Sequence, residues 1–204
     1  GKVAAATTTT VLLCEFAVDR VLFTGVAGGL GEGVRVGDVV VADQLIQHDM
    51  DASPLFPRFE LPGTGVTALP ADADWCHGIV QAAQRVLSPA ALAEGGALAD
   101  VHLDALGLKA PRVHQGLIIS GDEFVSTTQA SEALRGALPQ ALAVEMEGAA
   151  VAQVCHDFKV PFAVVRTISD RADDSAHVDF QRFVAEVACR YSLVVSQAIL
   201  SALT

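Results

Sequence analysis

The chain has 204 residues, about half of them apolar, which suits one domain with a substantial core. No run reaches eighteen apolar residues, so the sequence offers no membrane-spanning helix. A net charge of −11 argues against general nucleic-acid binding, because a phosphate backbone would be repelled, and leaves a neutral or cationic small molecule open as a ligand.

Residues 2–15 read as a helix, although the threonines at 7–10 are poor helix formers. The run Val21-Leu22-Phe23-Thr24 predicts a buried strand that stops at Gly25, with Gly25-Val26-Ala27-Gly28-Gly29 as a glycine-rich turn. A second strand is expected at Val39-Val40-Val41-Ala42 after the Gly37-Asp38 turn. Residues 43–70, with four prolines and two glycines, read as a long irregular connection, the kind of loop that tends to carry function. Residues 72–87 look helical, and 88–112, rich in Ala, Leu and Gly without a clean period, predict a surface excursion.

Leu117-Ile118-Ile119-Ser120 predicts the next strand, closed by Gly121-Asp122. Residues 141–144 form another, leading into a helix from about Glu147 to Phe158 that stops before Pro161. Residues 162–168 are the most strand-like run, ending at Ser169-Asp170. The last helix is expected to begin near Asp179 as N-cap, without a capping box because Arg182 follows three residues on. Its apolar face comprises Phe183, Val184, Val187, Tyr191, Val194 and Ala198.

Short apolar strands alternating with helices predict a single α/β domain over 1–204, with a largely parallel sheet covered on both faces. Ligands in such sheets sit beyond the carboxyl ends of strands. Gly25, Gly121, Glu145 and Asp170 each follow an apolar run, so all four belong to that rim.

Two acids invite chemistry there. If the strand persists through Val144-Glu145-Met146-Glu147, Glu145 and Glu147 point the same way and repel unless a donor intervenes. Alternatively they are two acids in a helix's first turn, stabilised by its dipole. Asp170 ends the strongest strand and can be a turn former, a helix cap, or a general acid if burial lifts its pKa. His48-Asp49-Met50-Asp51 has only a superficial metal-site look, and no distal ligand cluster supports it, so no metal is expected. The glycine run lacks dinucleotide and P-loop spacing, and no nucleophile elbow is present. Four widely spaced cysteines (Cys14, Cys76, Cys155 and Cys189) without a CxxC pair, and no signal peptide, favour reduced thiols and a cytoplasmic setting.

In order, residues 1–6, 24–30, 37–41, 48–51, 116–124, 144–161 and 162–173 resemble the methylthioadenosine/S-adenosylhomocysteine nucleosidases of the purine nucleoside phosphorylase superfamily. The specific part is VEMEGAA (144–150) followed by VPFAVVRTISD (160–170). The resemblance implies a three-layer α/β/α fold with a mostly parallel or mixed central sheet. It also implies cleavage of adenine from a 5′-thioadenosine by water, with neither metal nor organic cofactor. Asp170 then protonates the purine at N7, with Ser169 orienting it. Glu147 grips the ribose hydroxyls beside Glu145, and Met146 packs on the sugar. Phe124 stacks on the base, the Val125 backbone pairs with its edge, Ala27 and Gly28 line the sugar side, and Arg166 braces the site from beneath. Leu55, Phe56 and Pro62 cover the partner subunit's alkylthio pocket, implying a homodimer.

Three departures accompany the resemblance. The family's opening strands precede the stretch matching Gly1-Lys2, and the acid on them that assists the attacking water has no counterpart here, so either the sequence is truncated or the domain, with its N-terminal strands missing, lacks part of its sheet and its water activator. Val26 stands where a serine is common, and the 88–112 excursion is long. The competing activities are hydrolysis of 6-amino-6-deoxyfutalosine, phosphorolysis, and nucleoside binding without turnover. Phosphorolysis would need arginines near the glycine run, and the nearest, Arg35, lies beyond it.

Overall fold

A computed structural model describes residues 1–93, 111–174, 176–183 and 189–201. Helix α1 (Lys2–Glu15) forms despite its threonines, because it packs against the later helix 148–158; the hydroxyls of Thr7, Thr9 and Thr10 satisfy themselves on carbonyls four residues back, at 2.8–2.9 Å. Strand β1 (Val21–Gly29) does not stop at Gly25 but runs through the whole glycine segment. It pairs in parallel with β6 (Phe162–Asp170) from Val21 opposite Phe162 to Gly28 opposite Asp170. The glycines serve close approach rather than a turn: a Cβ on Gly25 would stand 2.6 Å from Arg166 Nη1, and one on Gly28 would stand 3.0 Å from Asp170 Oδ1.

Strand β2 (Val39–Gln47) is likewise longer than its apolar core, and β3 (Leu69–Pro70) pairs back onto it. The irregular stretch therefore shrinks to 48–68. Helix α2 (Ala73–Val86) starts at Asp72, whose carboxylate caps the Trp75 amide at 2.8 Å. Of the expected excursion, 88–93 includes the short helix α3 (Pro89–Ala93), and 94–110 lie outside the described residues.

Strand β4 (Val113–Ser120) leads to α4 (Thr128–Ala137), a helix that the sequence reading had not anticipated. Then come β5 (Ala141–Glu145) and α5 (Gly148–Phe158), which ends in left-handed Lys159 before Pro161. The final helical region begins at Ala176 rather than Asp179, because the Ala176 amide already bonds to the Asp173 carbonyl. It comprises α6 (Ala176–Phe183) and α7 (Cys189–Ser201). Of its expected apolar face, Phe183 and Val194 are buried and Ala198 is half-buried. Val184, Val187 and the Tyr191 side chain lie outside what is described.

The sheet is mixed, in the order β3-β2-β4-β5-β1-β6, and β2 also pairs with β6 across Val39–Val41, curling the sheet toward itself. Alternation along the strands sorts the core. Val40, Ala42, Val164 and Ile168 face the side packed by α1 and α5, while Val39, Val41, Ala163 and Val165 face α2 and α7. Two parallel groups, β2-β4-β5 and β1-β6, meet where β1 and β5 pair antiparallel through Gly28–Val144 and Gly29–Ala143. Their carboxyl ends converge at that seam, which brings Glu145 and Asp170 into one neighbourhood.

Candidate active site

A cavity of about 430 Å³ opens at the seam. Ala27, Gly28, Phe124, Val125, Glu145, Met146, Glu147, Ser169 and Asp170 all line it, so nine of the ten residues assigned to the site from the sequence come together. Arg166 is the tenth. It lies behind the lining, 1% exposed, with Nη2 2.5 Å and Nε 3.2 Å from Glu145 Oε2.

Strand β5 stops at Glu145, so the two glutamates are not strand neighbours on one face. Glu145 turns inward and accepts from the Ser120 hydroxyl, from the Gly148 amide at 2.8–2.9 Å and from the Glu147 amide at 3.1 Å. Burial by itself would raise its pKa. The Arg166 charge and these donors outweigh that penalty and hold the carboxyl below its ordinary value. Glu145 is thus a fixed anion that orders the start of α5. Arg166 also lies 4.2 Å over the Phe23 ring, and its Nη1 is buried without a hydrogen-bond partner among the described residues.

Glu147 occupies the N-cap position of α5 but makes no side-chain cap bond, so its carboxylate is not consumed by the helix. That side chain is 33% exposed, and its Oε1 lies 2.5 Å from the Gly1 nitrogen. Asp170 is 2% exposed. Its Oδ2 lies 2.8 Å from the Ser169 hydroxyl, and its Oδ1 accepts from the Ala172 amide at 2.8 Å. Ala172 holds φ 51°, the left-handed turn that swings this amide back onto the acid. The Ser169 hydroxyl is also 3.3 Å from the Ala27 carbonyl, so one hydrogen serves two acceptors.

Phe124 is partly exposed at the cavity and meets Phe180 edge-on, centroids 5.8 Å apart. Phe180, Gln181, Glu123, Val26 and Val144 also line the cavity and were not assigned to it from the sequence. The available signal for Phe180 was an aromatic ten residues beyond Asp170, at the start of the last helical region. Val26 presents a methyl surface where the family pattern favours a hydroxyl.

Leu55, Phe56 and Pro62 stand apart on the 48–68 stretch and do not line the cavity; Leu55 is 83% exposed. His48, Asp49 and Asp51 do not converge. His48 is buried against Gly121, Asp49 binds Lys2 at 2.6 Å, and Asp51 accepts from the Ser53 amide. Arg35 is exposed outside the cavity, its amide bonded to Asp38.

The arrangement supplies a buried carboxyl held at both oxygens, a second carboxylate open to the cavity, and an aromatic face for a planar ring. That set suits acid-assisted departure of a heterocycle from an electron-poor carbon.

The phosphorylase superfamily family model matches residues 1–200. The Streptococcus pneumoniae 5′-methylthioadenosine/S-adenosylhomocysteine nucleosidase, solved with a transition-state inhibitor, is 35% identical; the match covers 100% of this chain and 78% of that one with a TM-score of 0.81. The Neisseria meningitidis nucleosidase, in complex with methylthio-immucillin-A, is 33% identical over 98% of this chain and 77% of its own, with a TM-score of 0.80. Futalosine hydrolase of Helicobacter pylori is 32% identical over 98% and 76%, with a TM-score of 0.79. With the family model spanning almost its whole length and relatives above 30% identity sharing its fold, the chain belongs to the phosphorylase superfamily and, within it, to the nucleosidases.

Proposed function

We propose that the chain hydrolyses the N-glycosidic bond of 5′-methylthioadenosine and S-adenosylhomocysteine, releasing adenine and the thioribose product. The observation that carries this reading is that Asp170, Glu147 and Phe124 line one cavity. Asp170 donates its proton to N7, so adenine leaves nearly neutral as the ribosyl C–N bond breaks. Ser169 and the Ala172 amide hold Asp170 in place for that transfer. Glu147 binds the ribose hydroxyls and offsets the positive charge growing on the sugar, with Met146 against the ring. Phe124 stacks on the purine, the Val125 backbone meets its edge, and Ala27 and Gly28 let the sugar approach β1. Arg166 keeps Glu145 ionised, and Glu145 in turn orders the peptide that presents Glu147. Water adds to the anomeric carbon, and the proton it loses returns through solvent to Asp170, which restores the acid for the next turnover.

The test is adenine release from each nucleoside in phosphate-free buffer. Turnover there supports hydrolysis, and a strict need for phosphate would replace it with phosphorolysis. A second reading, hydrolysis of 6-amino-6-deoxyfutalosine, is favoured by the likeness to the Helicobacter pylori futalosine hydrolase. The ratio of kcat/KM values for the nucleosides decides between the two.

We further propose a homodimer in which Leu55, Phe56 and Pro62 cover the partner's alkylthio pocket. The 83% exposure of Leu55 and the uncovered Val3, Val11 and Phe16 of α1 and its C-terminal end support it. Light scattering of the wild type and of Leu55→Asp tests that assembly. The cytoplasm is the proposed setting: Cys14, Cys76 and Cys155 are unbridged, and burial raises the thiols of Cys76 and Cys155 to about 11.

A further inference from the structure

The purine-contacting residues Phe124 and Val125 sit on a loop that leaves β4 at Gly121, and that loop is tied down by charge. The Asp122 amide donates to Asp49 Oδ2 at 2.9 Å. Lys2 Nζ donates to Asp49 Oδ1 at 2.6 Å and lies 3.9 Å from Asp122 Oδ2. The Lys2 amide donates to Asp122 Oδ1 at 2.8 Å. Lys2 Nζ also reaches Gln47 at 3.2 Å, and Gln47 bonds to Gln153 of α5 at 2.7 Å. One ammonium, only 16% exposed, therefore links the end of β2, the loop after β4 and the helix that begins beside Glu147.

Electrostatics makes that link more than a tether. Asp49 holds the Asp122 amide, and Lys2 Nζ lies 2.6 Å from one Asp49 carboxylate oxygen and 3.9 Å from one of Asp122, so the ammonium is shared by the two acids. The Lys2 bond and charge also help keep Asp49 ionised against its burial. Without the ammonium, two like charges adjoin the peptide that starts the 121–125 loop, and the loop is pushed away from the cavity.

We propose that Lys2 is a positioning residue for base recognition, acting through Asp49 and Asp122 to hold Phe124 and Val125 at the cavity. This rests on the proposed nucleosidase reading. Lys2 does not line the cavity, so it governs binding rather than the chemical step.

The experiment compares Lys2→Met, Lys2→Arg and Lys2→Met/Asp49→Asn with the wild type, each checked for folding by thermal unfolding. Measured are kcat and KM for adenine release, and amide hydrogen exchange over residues 121–125. Lys2→Met is expected to raise KM about tenfold with kcat within about twofold, a change of roughly 1.4 kcal/mol in binding. Exchange at the loop should rise with it. Lys2→Arg retains the charge and stays near wild type. The double variant recovers most of the lost KM, because the carboxamide oxygen introduced by Asp49→Asn still accepts from the Asp122 amide without repelling its carboxylate. An unchanged KM in Lys2→Met, a loss confined to kcat, or no recovery in the double variant overturns the proposal. If the wild type releases no adenine, the nucleosidase reading fails, and loop exchange alone still decides whether Lys2 holds the segment.

Discussion

Where β6 ends, Ser169, Asp170 and the Arg166 behind them are each no more than 2% exposed, whereas Phe124, lining the same cavity, is 42% exposed. The first group lies on a strand, and Asp170 and Glu145 are held through both carboxylate oxygens. The second group, Phe124 with Phe180, lies on a loop and on the helix beyond β6, and its main mutual contact is an edge-on ring pair. The contrast follows the division of labour. In the proposed reading Asp170 is a proton donor that must be set to within a few tenths of an ångström before substrate arrives, and its strand pairs with β1 from Phe162 to Asp170. A stacking surface must admit and release a planar ring, so it keeps exposed area for the ligand to cover.

The largest effect is expected where the strand-built part does chemistry. Asp170→Asn keeps the size of the side chain and removes the carboxyl proton, so kcat should fall by about 10²- to 10⁴-fold while the melting temperature stays close to wild type. Near-normal adenine release by that variant would remove Asp170 from the mechanism and the contrast with it.

Arg166→Met tests the foundation of the same part. It leaves Glu145 ionised and buried without its cation, a loss of about 3–5 kcal/mol in stability. Chemical denaturation reads this directly. Arg166→Met/Glu145→Gln should recover part of it, because no uncompensated charge is left behind. A single variant as stable as wild type would show that the pair carries no structural burden.

In the loop-built part, Phe180→Ala deletes the edge-on partner of Phe124, worth about 0.5–1.5 kcal/mol. KM should rise by roughly twofold to tenfold on that basis, with little change in kcat or stability. A thousandfold loss in kcat would mean that the aromatic helix takes part in the chemical step and that the two parts are not separable.

The same contrast shows how far the sequence could be read. Residues 162–170 were legible because the apolar run at 162–165, followed by β-branched Thr167 and Ile168, suits a strand buried on both faces. The glycine segment 25–29 was misread as a turn because glycine usually signals one. What requires it here is a set of side chains some 140 residues away, Arg166 and Asp170, whose approach only the β1–β6 register reveals. Helix α4 was missed because its apolar stripe is thin: Ala130 and Leu134 are only partly buried, and Leu138 lies at the C-cap. The acids of the cavity stood out by motif, whereas the Glu145–Arg166 bond depends on register between separate strands. Phe180 reaches the cavity from α6, and no local pattern in the sequence announces where that helix sits.

The smallest effect concerns acid, and it separates the two parts along the pH axis. His48 backs the loop-built part: it is buried against Gly121, whose added Cβ would stand 2.4 Å from Nε2. Burial lowers its pKa below the ordinary 6.5, Lys2 adds to that, and Asp49, Glu123 and Glu145 oppose it. The unfolded chain therefore binds this proton first as pH falls. Stability from the neutral imidazole is complete above about 6.5 and drains away as pH drops through the folded value. Glu145 follows the same sign in a lower window, complete above its ordinary 4.5 and lost as pH falls through its depressed value. Acidification should thus loosen the Gly121 loop before it weakens the Arg166 pair. His48→Gln is expected to flatten the melting temperature just below pH 6.5 and to leave the decline below 4.5 untouched, with exchange over 121–125 losing its rise in the first window only. If that variant keeps the wild-type slope in the first window, the loop owes its acid sensitivity to some group other than His48.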